Sequence, residues 1–360
     1  VANSVYGATD EAYIADIYYA ASAQIVAKAA AVLGLEETRQ NYQAIADRQW
    51  QVVKEEYFTA TGRCAVKTQT GLVLALKYHL SDNERLTEQM LRKLLRDNKN
   101  KLNTGFVGTP LLCNVLTEHG MTDLAYRLLL NEEYPGWLHE VKLGATTVWE
   151  RWNSLDENGR ISSTGMNSLN HYSYGAVLEW IFRHVAGIDV TEQGPGGKMM
   201  RISPKVDHKL GSASAVYDSA SGCYRCGWQI ENGDQITVTV TVPFGAKAQV
   251  ILPYAPDSVY HDTDNPLFET VENGICCVKA GQYTVTYKAA SPLKKSYSVD
   301  STLEDLLAEP AIRAFLSNMM EVDMIPDLAY GLTLRQAAEA FAGGVSAEQA
   351  QRLNVLLEEF

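Results

Sequence analysis

The chain has 360 residues, 46% of them hydrophobic and 21% charged, with a formal net charge of −12. That length exceeds one ordinary core and predicts two or three domains. The acidic balance excludes nucleic acid and other polyanionic ligands, which call for clustered Lys and Arg, and no run of about 18 apolar residues exists to span a membrane.

The first residue is Val1, so the natural start is expected to lie upstream. The first half reads as helix. TDEAYIADIYYAASAQIVAKAAAVLG (9–34) has Thr9 and Asp10 as cap candidates and closes on Gly34. It is apolar around most of its circumference, which predicts burial on both sides. EETRQNYQAIADRQWQVVKEEYF (36–58) has one apolar stripe through Tyr42, Ile45, Trp50 and Val53 and reads as an outer helix. The alternation continues with 67–80 inner, 82–97 outer, 105–119 inner, 121–131 outer and 168–186 inner. Alternating buried and amphipathic helices with short loops predict helical hairpins wrapped into a toroid. Seven such helices are about half of a twelve-helix toroid. The densest basic stretch, RKLLRDNKNK (92–101), falls where a helix ends, and cations favour that end of the dipole.

After Gly187 the period changes from helical to alternating. Segments 198–204, 212–218, 224–230, 235–243, 248–253, 274–279 and 282–289 are short and β-rich, with ENGD (231–234) and PFGA (243–246) as turns. This is the pattern of an antiparallel β-sandwich. Helices return after about Ser291 at 301–320, 332–342 and 346–360, with Ser301 and Glu304 spaced as a capping box and Pro310 as a break. Domains are expected at 1–187, 188–292 and 293–360.

Six cysteines are present. Cys223 and Cys226 have C-x-x-C spacing, but on a strand they point to opposite faces, as do Cys276 and Cys277. No metal site is expected, and free thiols favour a reducing, cytoplasmic compartment. The sequence holds no H-E-x-x-H, G-x-S-x-G, Walker or Rossmann motif, so metal, serine-nucleophile and nucleotide chemistry lack support.

Aromatic and carboxylate residues gather in four stretches: TGFVGTP (104–110), YPGWLHE (134–140), GATTVWERW (144–152) and NSLNHYSYG (167–175). In a toroid, loops at one end converge on the central cavity. Glu150 lies between Trp149 and Trp152. Thr147 and Glu150 also have the spacing of a capping box, so a helix cap and an acid–base carboxylate both stay open. His171 falls in the first turn of its predicted helix, where the ring could contact a sugar hydroxyl or simply pack. Trp137, Trp149 and Trp152 are candidate walls of a sugar pocket, with toroid packing as the alternative.

The succession TGFVGTP, YPGW, GATTVWERW, SLNHYSYGAVLEW and VAGI resembles bacterial α-L-rhamnosidases of glycoside hydrolase family 78, over about residues 9 to 255. The resemblance implies the later half of an (α/α)6 glycosidase toroid, a β-sandwich and a small helical module. It implies inverting hydrolysis of terminal α-L-rhamnose from rhamnosides without a cofactor. Glu150 would be the general base, His171 a sugar contact and Trp149 a pocket wall. The family's general acid lies in an R-D-E-R-like run that has no counterpart here; DNER (82–85) sits on an outward helix. The 360 residues are therefore expected to be inactive alone, and to need either their N-terminal half or another copy of the chain. A non-catalytic carbohydrate-binding or vestigial piece is the alternative, as is a toroid glycosidase for a different sugar.

Overall fold

Helices begin where a side chain can take an otherwise unpaired backbone N–H. In the computed structural model, Asp10 accepts from the Tyr13 N–H at 2.9 Å and opens α1 (Glu11–Val32). Thr68 caps α3 (Gln69–Lys77) and Asn83 caps α4 (Glu84–Asp97) in the same way. Between and after them lie α2 (Glu36–Tyr57), α5 (Thr109–Glu118), α6 (Thr122–Leu129) and the short α7 (Trp137–Lys142). A helical run then passes from a 3-10 turn (Ser173–Ala176) through one α turn (Val177–Trp180) into a π-helical turn (Ile181–Val185); together they form α8. The structure describes residues 7–156, 158–162, 166–192, 194–260, 270–272, 274–341 and 343–358.

Burial separates two layers. Residues 69–76 of α3 are all buried, whereas α4 buries only Thr87, Leu91 and Leu95, four apart on one face. α1 touches α3, α3 touches α5 and α5 touches α8, while α2, α4 and α6 each lie on the inner helix before them. This is an arc of three hairpins plus one further inner helix, as the alternating pattern predicts. The expectation that α1 is buried on both sides needs correction. Tyr13, Ile17, Ala20, Ala27 and Ala30 are buried, but Tyr19, Ile25, Val32 and Leu33 on its other side are exposed.

A seven-stranded sheet follows: β1 (Ile188–Val190), β2 (Met199–Ile202), β3 (Ser212–Ser219), β4 (Gly222–Glu231), β5 (Gln235–Val250), β6 (Thr270–Glu272) and β7 (Ile275–Lys288). The order is β1-β2-β5-β4-β3, with β7 also on β5 and β6 on β7. All pairs are antiparallel except β2–β5. Two strands are longer than the sequence reading. Segments 235–243 and 248–253 are joined in β5, with a register shift between Val242 and Lys247, so PFGA is an irregularity inside a strand and not a turn. β7 likewise joins two expected strands. Bulges bend a strand and let it serve both layers of a sandwich. The first half of β5 pairs with β4 and its last residues pair with β2, while β7 follows it throughout.

Helices and sheet meet through the end of α8. The Trp228 indole N–H donates to the Val185 carbonyl at 2.7 Å, and the Lys205 N–H to the His184 carbonyl at 2.8 Å. Gly187 sits at this joint with φ of +82°, and a Cβ there would lie 2.2 Å from the backbone of Pro204. No other residue fits that turn without moving it.

By its internal contacts the chain divides into residues 1–290 and 291–360. The second unit has its own core, in which Val299, Leu306, Ile312 and Leu357 are fully buried. Its first helix, Leu303–Ala308, is capped by Thr302 accepting from the Asp305 N–H at 3.1 Å; the expected Ser301–Glu304 box is thus one residue out of register. Pro310 starts the next helix, Pro310–Ser317. Among the described residues no helix is long and apolar enough to cross a membrane.

Candidate active site

Residues 144–153 form no helix, so Thr147 and Glu150 do not make a capping box. The Thr147 hydroxyl donates instead to the Leu169 carbonyl. The segment pairs with the stretch before α8: the Glu150 N–H donates to the Ser168 carbonyl at 2.9 Å and the His171 N–H to the Val148 carbonyl at 2.8 Å. This pairing brings Glu150 and His171, 21 positions apart in sequence, onto neighbouring backbone. A second clamp lies beside it. Ser154 donates its hydroxyl to the Asn167 side chain at 2.7 Å and takes the Asn167 amide on its carbonyl at 2.9 Å.

His171 precedes α8 by two residues and does not lie within its first turn, which corrects the sequence reading. Its Nδ1 accepts from the Ser173 N–H at 3.3 Å. In the neutral ring the proton then sits on Nε2, which is left to donate. The imidazole is stacked between Phe106, with centroids 5.0 Å apart, and Tyr172 at 5.3 Å. Phe106 is 47% exposed and Tyr172 85%, so this stack reaches the surface.

The three tryptophans are placed differently from one another. Trp152 is 1% exposed, stacked on Tyr174 at 4.0 Å and 5°, with Trp137 edge-on at 5.3 Å. Such pairs add about 0.5–1.5 kcal/mol each beyond area burial. Trp152 also donates to the Thr104 carbonyl at 3.1 Å and Trp137 to the Tyr174 carbonyl at 3.0 Å. These bonds and the Trp152–Tyr174 stack tie all four sequence stretches together. Trp149 is 3% exposed. Trp149 and Trp152 therefore pack behind the surface, and Trp137 is half-buried against Trp152. TGFVGTP serves packing too: a Cβ on Gly108 would meet the Thr70 hydroxyl at 2.3 Å.

Sequence reasoning missed Phe106 as a ring partner, the Ser154–Asn167 clamp, and Glu140. Phe106 and Asn167 lay inside the quoted stretches, but stacking and clamping leave no spacing signature. Glu140, on α7, is 3% exposed, and burial pushes its carboxyl up to about 8 although the Trp149 N–H binds it. Burial also raises the Tyr174 hydroxyl to about 12, helped by Glu140 and Glu150 and opposed by Arg151. Two carboxylates thus bear on one phenol.

A protein family described as the bacterial α-L-rhamnosidase six-hairpin glycosidase domain matches residues 2–185. The chain belongs to this family. The bacterial α-L-rhamnosidase C-terminal domain matches residues 187–265 of the same rhamnosidase-family chain. An α-L-rhamnosidase of Formosa agariphila is 36% identical over 270 residues, 74% of this chain and 29% of that protein. One from Alteromonas sp. (strain LOR) is 36% identical over 283 residues, 77% of this chain and 30% of the relative. The chain therefore spans about three-tenths of the length of these relatives. Among solved structures, Streptomyces avermitilis α-L-rhamnosidase complexed with L-rhamnose is similar with a TM-score of 0.72 and 31% identity, over 79% of this chain and 28% of that one. The α-L-rhamnosidase of Aspergillus terreus gives 0.69 and 27%, over 79% of this chain and 31% of that one.

Within this rhamnosidase-family chain, no group of three or more His, Cys, Asp and Glu side chains could hold a metal among the described residues. All six cysteines are free thiols; burial raises Cys113 and Cys226 to about 12, far from the thiolate form. What the site does offer is a half-buried carboxylate, Glu150, on backbone that neighbours His171, a ring whose Nε2 has no hydrogen-bond partner among the described residues, and exposed aromatic faces that suit a sugar.

Proposed function

We propose that this chain carries the general-base side of an α-L-rhamnosidase site, part of a longer glycoside hydrolase that removes terminal α-L-rhamnose from rhamnosides with inversion. Glu150 takes the proton from the attacking water. His171 donates from Nε2 to a sugar hydroxyl. Trp149 backs the pocket, with Trp137 and Trp152 holding the wall behind it. The domains of this piece are 1–187, 188–292 and 293–360. The observation that carries the reading is the backbone pairing of residues 148–150 with 168–171, which presents Glu150 and the His171 stack together.

Inversion needs a second carboxyl about 6.5–9.5 Å from the base, with room for water between them. The DNER look-alike does not supply it: Asn83 caps α4, and Glu84 in its first turn is bound to His79 at 2.7 Å. The acid then belongs to the rest of the longer protein, and the 360 residues alone are inactive. Hydrolysis of an aryl α-L-rhamnoside is the test. The full-length protein is expected to turn it over and this piece is not; turnover by this piece, abolished by Glu150→Gln, would overturn the missing acid.

The exposed stack of Phe106, His171 and Tyr172 supports a second reading, a sugar-binding surface without turnover. L-rhamnose binding by a full-length protein inert on every aryl glycoside would favour it. Turnover of another glycoside in that panel would instead keep the glycosidase and change the sugar.

A further inference from the structure

The backbone pairing that carries Glu150 and His171 is not a regular one. Leu169 and Asn170 lie between Ser168 and His171, whereas Trp149 alone lies between Val148 and Glu150. In a regular antiparallel pair, a Glu150 N–H on the Ser168 carbonyl would be matched by the Asn170 N–H on the Val148 carbonyl. Here the His171 N–H takes Val148 instead, at 2.8 Å. This is the two-against-one count of a bulge, a device that re-aims side chains. Two hydroxyls hold the surplus residue in place. The Ser168 hydroxyl accepts the Asn170 N–H at 3.1 Å, which occupies the donor that the regular register would use. It also donates to the Asn170 carbonyl at 3.1 Å. The Thr147 hydroxyl donates to the Leu169 carbonyl.

We propose that Ser168 and Thr147 are positioning residues: their hydroxyls hold the bulged register, and that register sets where the His171 imidazole stands relative to Glu150. This rests on the reading of Glu150 as general base and His171 as a sugar contact. Hydroxyls suit the task because each supplies a donor to a carbonyl that the extra residue leaves outside the ladder. Without them the freed Asn170 N–H competes with His171 for the Val148 carbonyl. The slip moves His171 by one residue, about 3.3 Å, and turns its ring to the opposite face. The Nε2 donor and the stacking on Phe106 and Tyr172 are lost with it. Thr147 is itself exposed, so its hydroxyl completes no core.

The test uses the full-length protein and an aryl α-L-rhamnoside. Thr147→Val combined with Ser168→Ala is expected to lower kcat/KM by about tenfold or more, since small misplacements of site groups cost up to about 100-fold. Thr147→Ser and Ser168→Thr keep the hydroxyls and are expected to keep the parent's value. In a His171→Ala background the double change is expected to add no further loss, because both residues act through that ring. Parental kcat/KM in the double variant, or the same loss repeated on top of His171→Ala, would overturn the proposal. If the double variant does not fold, Thr147→Val alone, at its exposed position, is read in the same way. If the parent is inert, or Glu150→Gln keeps full activity, the rhamnosidase reading fails separately. Amide hydrogen exchange then still tests the register. Protection is expected to pass from the His171 N–H to the Asn170 N–H in the double variant, and unchanged protection at both would overturn it.

Discussion

The sheet of residues 188–290 and the stretch from 131 to 175 are held by different kinds of hydrogen bond. In the sheet, β4, β5 and β7 satisfy one another through long backbone ladders. Among the described residues of 131–172 no element exceeds the six residues of α7, and side chains close the gaps: Trp137 to Tyr174, Trp152 to Thr104 and Asn167 to Ser154. A ladder spreads its stability over many equivalent bonds. A site built from single side chains concentrates it, so one substitution there does more.

The largest expected effect follows from that contrast. Trp152→Ala removes a stacked, fully buried indole and is expected to cost about 3–5 kcal/mol in denaturant unfolding. Thr237→Ala, which removes one exposed cross-strand hydroxyl pair with Thr286, is expected to cost within about 0.5 kcal/mol. Equal costs would break the comparison.

Two buried titrating groups sharpen it in opposite directions. Glu140 has a folded pKa of about 8 against an ordinary 4.5. Its proton is held more tightly in the folded state, so stability falls as pH rises from about 4.5 to about 8 and is flat above. At about 1.4 kcal/mol per unit, with relaxation discounted, roughly 3 kcal/mol is at stake, and Glu140→Gln is expected to flatten the fall. His184, at the joint with the sheet, is lowered by burial from 6.5 to about 4, with Arg183, Lys205 and Lys77 acting in the same sense and Asp189 against them. Its Nε2 is buried without a partner among the described residues. The unfolded chain takes up the proton first, so stability falls as pH drops from about 6.5 to about 4. About 2 kcal/mol is expected, and His184→Leu should remove that acid-side loss. Thermal midpoints measured across pH check both signs. A smaller effect than either of these lies in residues 291–360, where Thr302→Ala removes a helix cap at a cost of about 1 kcal/mol; an unchanged midpoint for that unit would deny Thr302 its role.

The same difference explains what could be read from sequence. α2, α4 and α6 were legible because an apolar stripe at 3.6-residue spacing runs through each, the inner helices because they are apolar around most of their circumference, and the strands because their residues alternate. α7 was not, since WLHEVK is too short to show a period. β5 was split in two because Pro243 and Gly245 carry turn chemistry, while its ladder resumes at Lys247 after a register shift. The cap at 302 was displaced by one because Ser301–Glu304 and Thr302–Asp305 have the same spacing. Glu150 and His171 stood out through the stretches that surround them. Glu140 did not, because its burial comes from the packing around α7, which leaves no spacing signature in the sequence.

The account turns on Glu150, and its most direct test is kcat for an aryl α-L-rhamnoside by the full-length protein and its Glu150→Gln variant. General-base catalysis contributes about 10²–10⁴-fold, so kcat is expected to fall by at least 100-fold with KM near the parent's and folding intact. A Glu150→Gln protein that keeps the parent's kcat would contradict it.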